Sequence, residues 1–323
     1  MNKTETIHLI NDLASRGIPF IFVISFDGNE NIVSTLDAAA ERGIYIDIPA
    51  YRNHTFSPEK KSFLDFKAFP VGPEEYKSAF EKVMGEIKYG NTFLLNLTFP
   101  SKIESNYTLS EIFCHAHAKF KLMLDGKFVV FSPERFVKIE NGVITSNPMK
   151  GTIDAALPNA HMLLKSDRKE DAEHNTIVDL IRNDLGIVAK DIRVKRFKYI
   201  EKIKTHNREL LQMSSEISGK LKQNIDRDLG DMLFKLLPAG SVSGAPKPKT
   251  IEIINKSETY KRGFYTGVFG YFDGKMLDSS VIIRYIEQEE NQLIFKSGGG
   301  ITHMSKWENE YREMINKIYV PIY

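Results

Sequence analysis

The chain has 323 residues, 42% hydrophobic and 27% charged, with a formal net charge of +2. These are ordinary globular proportions, and the near-neutral balance gives no electrostatic case for nucleic-acid binding. A single cysteine, Cys114, excludes an internal disulfide framework and a cysteine zinc site, and no run approaches the ~18 apolar residues of a membrane span.

The first 17 residues lack the apolar core and small-residue cleavage site of a signal peptide, so a cytoplasmic protein is expected. The sequons at Asn96 and Asn106 are then chance matches. Phe20 to Phe26 reads as a buried strand closed by the turn pair Asp27-Gly28. Residues 74–89 read as a helix with Tyr76, Phe80, Val83, Met84 and Ile87 on one stripe, ended by Gly90. Phe93 to Thr98 is a strand. Thr108 and Glu111 form a capping-box pattern for a helix to about Lys119. Phe128 to Phe131 is a strand, and Phe136–Glu140 with Val143–Thr145 flank Asn141-Gly142, a two-residue hairpin signal. A helix over 167–185 ends at Gly186, a left-handed cap position. Residues 207–223 and 227–237 read as helices, and Pro246 begins another. Phe264–Phe272, Ser279–Tyr285 and Gln292–Lys296 read as strands. A last helix runs from Ser305, with Glu308 as capping partner, to about Ile318. Strands come in runs and helices do not alternate with them, which predicts an α+β fold of mostly antiparallel sheet. No linker or repeat divides residues 1–323, so one domain is expected.

Some carboxylates sit where burial would penalise them. On a helical wheel of 167–185, Ile177, Leu180 and Ile181 make the apolar stripe, and Glu173, Glu170 and Asp184 share that side. In the last helix Trp307, Tyr311, Met314, Ile315 and Ile318 form the core face, with Glu310, Glu313 and Lys317 along its flank. Two readings stay open. Either the acids are solvated near helix ends, where the dipole favours them, or a partner or metal compensates them. Four converging carboxylates would suit a hard cation such as magnesium. Two glycine-bearing segments, Ser297–Ile301 and Ala239–Lys247, offer main-chain N–H groups to an anion; neither matches a Walker loop or a dinucleotide fingerprint.

Taken together, these segments resemble the chorismate-utilising enzymes: component I of anthranilate synthase and of aminodeoxychorismate synthase, isochorismate synthase and salicylate synthase. The matching residues are Ser132–Phe136, Pro148–Thr152, Glu173–Gly186, Gly240–Lys247, Arg262–Gly267, Gly298–Ile301, Glu310 and Glu313. Their order holds over roughly residues 90–317, and the first ~70 residues match poorly. The resemblance implies a large α/β sandwich of antiparallel sheets with helices packed outside. It implies that Glu173 and Glu313 ligate Mg2+, with Glu170 and Glu310 beside them, and that the metal grips the ring carboxylate of chorismate. Thr152, Ser243, Gly244, Tyr265, Arg284, Gly298, Gly300 and Lys317 would hold the rest of the substrate.

Lys150 selects within the family. The matching position is alanine in anthranilate synthases, where the incoming nucleophile attacks ring carbon 2 directly. It is lysine in many aminodeoxychorismate synthases, where the proposed route has the lysine amine attack carbon 2 while the 4-hydroxyl leaves. Ammonia then adds at carbon 4 and expels the lysine. The resemblance makes Glu134 the general acid, with a raised pKa, and calls for a neutral Lys150 amine, its proton released by desolvation or a nearby cation. The Asn141-Gly142 hairpin is expected to bring the two residues together.

Two departures from the family stand out: Gln212, where many members have histidine, and Leu94, where they have glutamine. The divergent N-terminal region predicts no tryptophan feedback. The expected reaction is amination of chorismate toward para-aminobenzoate and folate. Cys114 has no nucleophile-elbow context, so the ammonia is expected from solution or from a glutamine amidotransferase subunit. The rivals are anthranilate synthase component I, an isochorismate-type synthase, and a non-catalytic chorismate-binding protein.

Overall fold

The computed structural model describes residues 1–166, 168–204, 209–222 and 225–322. Helix α1 (Lys3–Ser15) opens on a reciprocal cap between Asn2 and Glu5 and leads to β1 (Phe20–Ile24) and β2 (Asn31–Thr35). Helix α2 (Leu36–Glu41), β3 (Ile44–Ile48), β4 (Tyr51–Arg52) and β5 (Phe66–Phe69) follow. Next come α3 (Pro73–Tyr89), β6 (Leu94–Ser105), α4 (Leu109–His115), β7 (Phe120–Leu124) and β8 (Phe128–Ser132). The middle of the chain is β9 (Arg135–Glu140), β10 (Val143–Ser146), β11 (Met149–Asp154), α5 (Ala160–Ser166) and α6 (Arg168–Val188). Then β12 (Ala189–Lys204), β13 (Glu209–Leu221), α7 (Ile225–Leu236), β14 (Gly244–Ala245) and α8 (Lys247–Ser257) follow. The chain closes with β15 (Val268–Phe272), β16 (Leu277–Val281), β17 (Tyr285–Glu289), β18 (Gln292–Ile301) and α9 (Trp307–Asn316).

These strands make two nine-stranded antiparallel sheets. The first has the order β11-β13-β10-β9-β16-β15-β1-β2, with β12 on the outer side of β13. The second has the order β14-β6-β18-β17-β8-β7-β3-β4, with β5 on β6. Ile21, Val23 and Phe269 of the first sheet meet Ile46, Leu122 and Val130 of the second in a shared core. Helices α1, α6 and α7 cover the outer face of the first sheet through Ile10, Ile177, Ile181 and Leu233. Helices α3, α8 and α9 cover the second through Phe80, Val83, Ile254 and Met314. The architecture is therefore the expected α/β sandwich of antiparallel sheets with helices outside. Among the described residues no helix is long and apolar enough to cross a membrane.

Two chain crossings between the sheets position the site. The chain leaves the second sheet at β8 and enters the first at β9 through Pro133 and Glu134. It leaves the first at β16 and re-enters the second at β17 through residues 282–284, where Arg284 adopts a left-handed φ of 55°. The Val281 N–H donates to the Glu134 carbonyl at 3.2 Å, so the crossings lie side by side. Residues 279–285 are thus two strands in different sheets and not the single strand their pattern suggests.

Local signals fare well where the structure is local. Asn141 (φ 51°) and Gly142 (φ 73°) form the two-residue turn of the β9–β10 hairpin. Thr108 and Glu111 form the capping box, although α4 stops at His115.

Three expectations are corrected. Within 207–223 the described residues 209–221 are strand β13, whereas Asn207, Arg208 and Gln223 lie outside the described residues, as does Asp167 of the 167–185 helix. Strand β13 is paired on both edges, by β12 on one side and by β10 and β11 on the other; its buried residues come in runs of two and three, and no strict alternation marks it. Gly186 lies inside α6, which runs to Val188 and passes directly into β12. Helix α9 starts at Trp307, and the Ser305 hydroxyl accepts from the Thr302 N–H instead of forming a box with Glu308.

Candidate active site

The cavity of about 540 Å³ between the sheets is lined by Glu134, Lys150, Thr152, Glu170, Gln212, Ser241, Tyr265, Arg284, Gly298, Glu313 and Lys317, among others. Glu134 occupies the first crossing and is 6% exposed. Its carboxylate accepts a hydrogen bond from Ser241 Oγ at 2.5 Å. Burial pushes its pKa up to about 7, against the opposing pull of the Ser241 hydroxyl and the Lys150, Arg284 and Lys317 charges. A carboxyl with that pKa carries a proton for a good part of the time at neutral pH.

Lys150 lies on β11, which pairs with β13 as β10 does, so the hairpin and β13 together place it near Glu134. Its Nζ is 2.7 Å from Glu173 Oε2 on α6. Burial works to lower the Lys150 pKa, but the Glu173, Glu313 and Glu170 carboxylates outweigh it and hold the pKa above the ordinary lysine range. The amine is therefore an ammonium here, not the neutral group the family chemistry calls for. The physical reason is the cluster of acids around it. Next to Glu173, His174 is fully buried, and burial pushes its pKa down to about 4, so its ring is neutral. Its Nε2 lies 2.7 Å from Ser215 Oγ on β13, which pins α6 to the sheet.

The carboxylates from α6 and α9 approach β18 where it has no side chains. A Cβ on Gly300 would lie 3.0 Å from Lys150 Nζ and 3.8 Å from Glu173 Oε2. One on Gly299 would lie 3.3 Å from Glu313 Oε1 and 3.8 Å from Glu310 Oε2. Glu170 reaches Gly151 from the other side, at 3.0 Å from the corresponding point. Glu173 is 2% exposed and Glu310 is fully buried. Glu173, Glu310 and Glu313 thus flank Gly299–Gly300, with Glu170 beside Gly151 of β11, and among the described residues no three acids stand in ready ligating geometry about one point. An all-carboxylate donor set beside a bare backbone cradle fits a hard cation. Asp184, the third acid on the α6 stripe, is 2.8 Å from Lys247 Nζ on α8 and ties the two helices together.

The chorismate binding enzyme family matches residues 24–322. The chain belongs to this family. It is 48% identical over 316 residues to an uncharacterized PabA-like protein of Haemophilus influenzae, covering 98% of this chain and 96% of that one. It is 34% identical over 261 residues to aminodeoxychorismate synthase component 1 of Salmonella typhimurium, covering 76% of this chain and 56% of that longer protein. Among solved structures, the 2,3-dihydroxybenzoate-specific isochorismate synthase DhbC of Bacillus anthracis superposes with a TM-score of 0.74 at 21% identity, over 98% of this chain and 87% of that one.

As a chorismate binding enzyme, the chain distributes the other expected substrate residues unevenly. Arg284 stacks its guanidinium 5.0 Å from the Tyr319 ring centroid, and Lys317 donates to the Gly298 carbonyl at 2.8 Å and to Glu313 at 2.7 Å. Ser243 and Gly244 do not line the cavity: the Ser243 hydroxyl donates to the Ala239 carbonyl at 2.8 Å, and Gly244 pairs with Leu95 in the second sheet. Ser241, two residues earlier, reaches Glu134 instead. Sequence reading passed over Ser241 because two serines in one glycine-bearing loop look alike. Asn309, Arg312 and Tyr319 also line the cavity without a motif to mark them. Gln212 faces Thr152 across the β11–β13 ladder, and Leu94 packs against Gly300.

Proposed function

We propose that this protein aminates chorismate at ring carbon 4 to give 4-amino-4-deoxychorismate, a precursor of para-aminobenzoate, using ammonia from a glutamine amidotransferase subunit. The observation that carries the reading is the Lys150 amine on β11, in the same cavity as a carboxyl, Glu134, whose pKa suits a proton donor at neutral pH. Glu173 and Glu313, with Glu170 and Glu310 beside them, would hold Mg2+; such an ion would supply positive charge for the ring carboxylate, and acids engaged by it would no longer keep Lys150 protonated.

Once its ammonium proton has passed to solvent, the neutral Lys150 amine attacks ring carbon 2. Both ring double bonds shift, from C1=C2 and C5=C6 to C1=C6 and C4=C5, the C4–O bond breaks, and Glu134 gives its proton to the departing hydroxyl, which leaves as water. Ammonia attacks carbon 4, both double bonds return, and the C2–N bond to Lys150 breaks. Glu134 takes back a proton, so the net change is chorismate plus ammonia to aminodeoxychorismate plus water. Arg284, Tyr265 and Lys317 orient the substrate in the cavity.

The test is incubation with chorismate, ammonium and magnesium, with the product identified by mass. Aminodeoxychorismate is expected. Anthranilate with pyruvate would assign the chain to the anthranilate branch, and isochorismate to the hydroxylating one. Unchanged chorismate would leave a binding protein.

A further inference from the structure

Helix α9 grades from core to solvent across its width. Glu310 and Met314 are buried, Glu313 and Lys317 are half-buried, and Asn309, Arg312 and Asn316 are exposed. The last three recur at i, i+3 and i+7, so they share one stripe of the helix. All three line the cavity. They are therefore its rim, and Glu313 and Lys317, one position further round, belong to its inner wall.

Four cations and four carboxyl groups line the cavity, so its charges give no large net attraction for an anion. Among the described residues Arg312 alone of these eight is exposed; the others are half-buried or buried. Lys150 is paired with Glu173 and Lys317 with Glu313. Arg312 is held differently. Its Nε donates to the Glu308 carbonyl at 3.2 Å, and Nη2 donates to Asn309 Oδ1 at 2.8 Å. Both acceptors are neutral and belong to its own helix, and among the described residues no ion pair reaches it. These bonds aim the guanidinium without cancelling its charge. A guanidinium has five N–H donors, so both protons of Nη1 and one of Nη2 remain for a ligand. The Asn309 amide oxygen is taken by Arg312, which leaves its NH2 group as a donor on the same stripe.

We propose that Arg312, with the amides of Asn309 and Asn316, is the capture subsite at which the cavity first takes hold of a carboxylate of the incoming substrate. The substrate class is a small dicarboxylate, which chorismate is. The inference rests on chorismate as the substrate and not on which product forms from it. An exposed cation at the mouth of a balanced cavity is the first charge that a dianion meets. Its attraction raises the rate of productive encounter and is screened as the Debye length falls from ~30 Å at 0.01 M salt to ~8 Å at 0.15 M. The free N–H groups of the guanidinium can take a carboxylate through two parallel bonds, which a lysine at this position could not do.

The experiment follows chorismate association with the full chain by stopped-flow fluorescence, with the single tryptophan, Trp307 of α9, as reporter. Salt runs from about 0.01 to 0.15 M. A second measure is kcat/KM from chorismate consumption, whatever the product. Arg312→Gln is expected to lower the association rate and kcat/KM by about fivefold at low salt, to flatten their salt dependence, and to change kcat by no more than about twofold. Arg312→Lys keeps the charge and should keep most of the low-salt rate. Asn316→Asp puts a carboxylate one turn from Arg312, where it pairs with the guanidinium, and should slow association nearly as much. Lys306→Gln removes the same charge from the exposed N-cap of α9, outside the cavity lining, and should leave the rate within about twofold. Wild-type rates and salt dependence in Arg312→Gln overturn the proposal. An equal loss in Lys306→Gln also overturns it, because the effect would then be one of net charge. A fall in kcat as large as the fall in kcat/KM overturns it too, because Arg312 would then act in the chemistry. A wild-type chain that binds no chorismate sinks the subsite together with the substrate assignment. A wild-type chain that binds chorismate and makes a product other than aminodeoxychorismate sinks the amination reading, and the association rates still decide the rim.

Discussion

Lys150 Nζ sits 2.7 Å from Glu173 Oε2, with the Glu310 and Glu313 carboxylates across the bare backbone of Gly299 and Gly300. A tethered ammonium therefore occupies ground between acids that suit a divalent cation. On the proposed reading, a divalent cation bound there would compete with the ammonium for Glu173, and that competition would set the protonation of the amine.

Replacing Lys150 with alanine removes one competitor. Lys150→Ala is expected to bind magnesium at least about tenfold more tightly than wild type, a difference of about 1.4 kcal/mol. Isothermal titration calorimetry without substrate reads this directly. The same variant should retain chorismate binding and lose amination. Equal magnesium affinity in the two proteins would show that the ammonium and the metal do not share ligands.

The Glu134 carboxyl has a folded pKa of about 7 against an ordinary value of 4.5. A raised acid donates best when protonated, so the ammonium-dependent rate should fall as pH rises through about 7. Stability follows the same sign. The contribution is fully present below about 4.5 and is lost as pH rises to about 7, because the folded state holds the proton more tightly there. Glu134→Gln should abolish that limb of the rate profile along with most of the rate.

Ser241 Oγ donates to Glu134 at 2.5 Å and stabilises its charged form. Ser241→Ala removes that stabilisation and leaves the buried carboxyl easier to protonate. The descending limb should move to higher pH. A pH–rate profile with an unmoved limb would show that the hydroxyl does not act on the acid.

Gly300 leaves no room to spare beside Lys150. A methyl group at this position would lie 3.0 Å from Nζ and 3.1 Å from Leu94 Cδ1. Both neighbours are ends of flexible side chains, so Gly300→Ala should fold with a melting temperature close to wild type. Its kcat should fall by about 100-fold, because displacing a reacting group by about 1 Å is enough for that. A normal kcat in a folded Gly300→Ala protein would remove Lys150 from the chemistry at this spot.

Arg262 and Glu258 form a buried bidentate pair, at 2.6 and 2.8 Å. Glu258 also accepts from the Thr98 N–H and hydroxyl, and Thr98 pairs with Gly298 beside the site. Removing one partner strands the other charge in the core. Arg262→Met is expected to cost about 3–5 kcal/mol, measured by denaturant unfolding.

Features governed by neighbours in the chain were legible in the residues. The α3 stripe, the Thr108–Glu111 box and the Asn141-Gly142 turn depend on spacings of two to four residues. The string of motifs around Glu134, Lys150, Glu173 and Gly298–Gly300 was also legible, and the family follows from it. Strand β13 was not, because a centrally paired strand buries both faces and loses the alternation that distinguishes it from a helix. The run from Ser279 to Tyr285 looked like one strand because nothing in its pattern marks Arg284 as the residue that turns between sheets. Which serine of the 241–243 pair reaches Glu134, and whether Lys150 holds its proton, depend on groups more than a hundred and about twenty residues away. The amino-acid sequence by itself determined the family, the sheet-rich fold and the identity of the acids, because these follow from local pattern and residue chemistry. Only the tertiary structure decided the charge state of Lys150 and the pKa of Glu134, because electrostatic energies depend on distances and burial that distant segments create together.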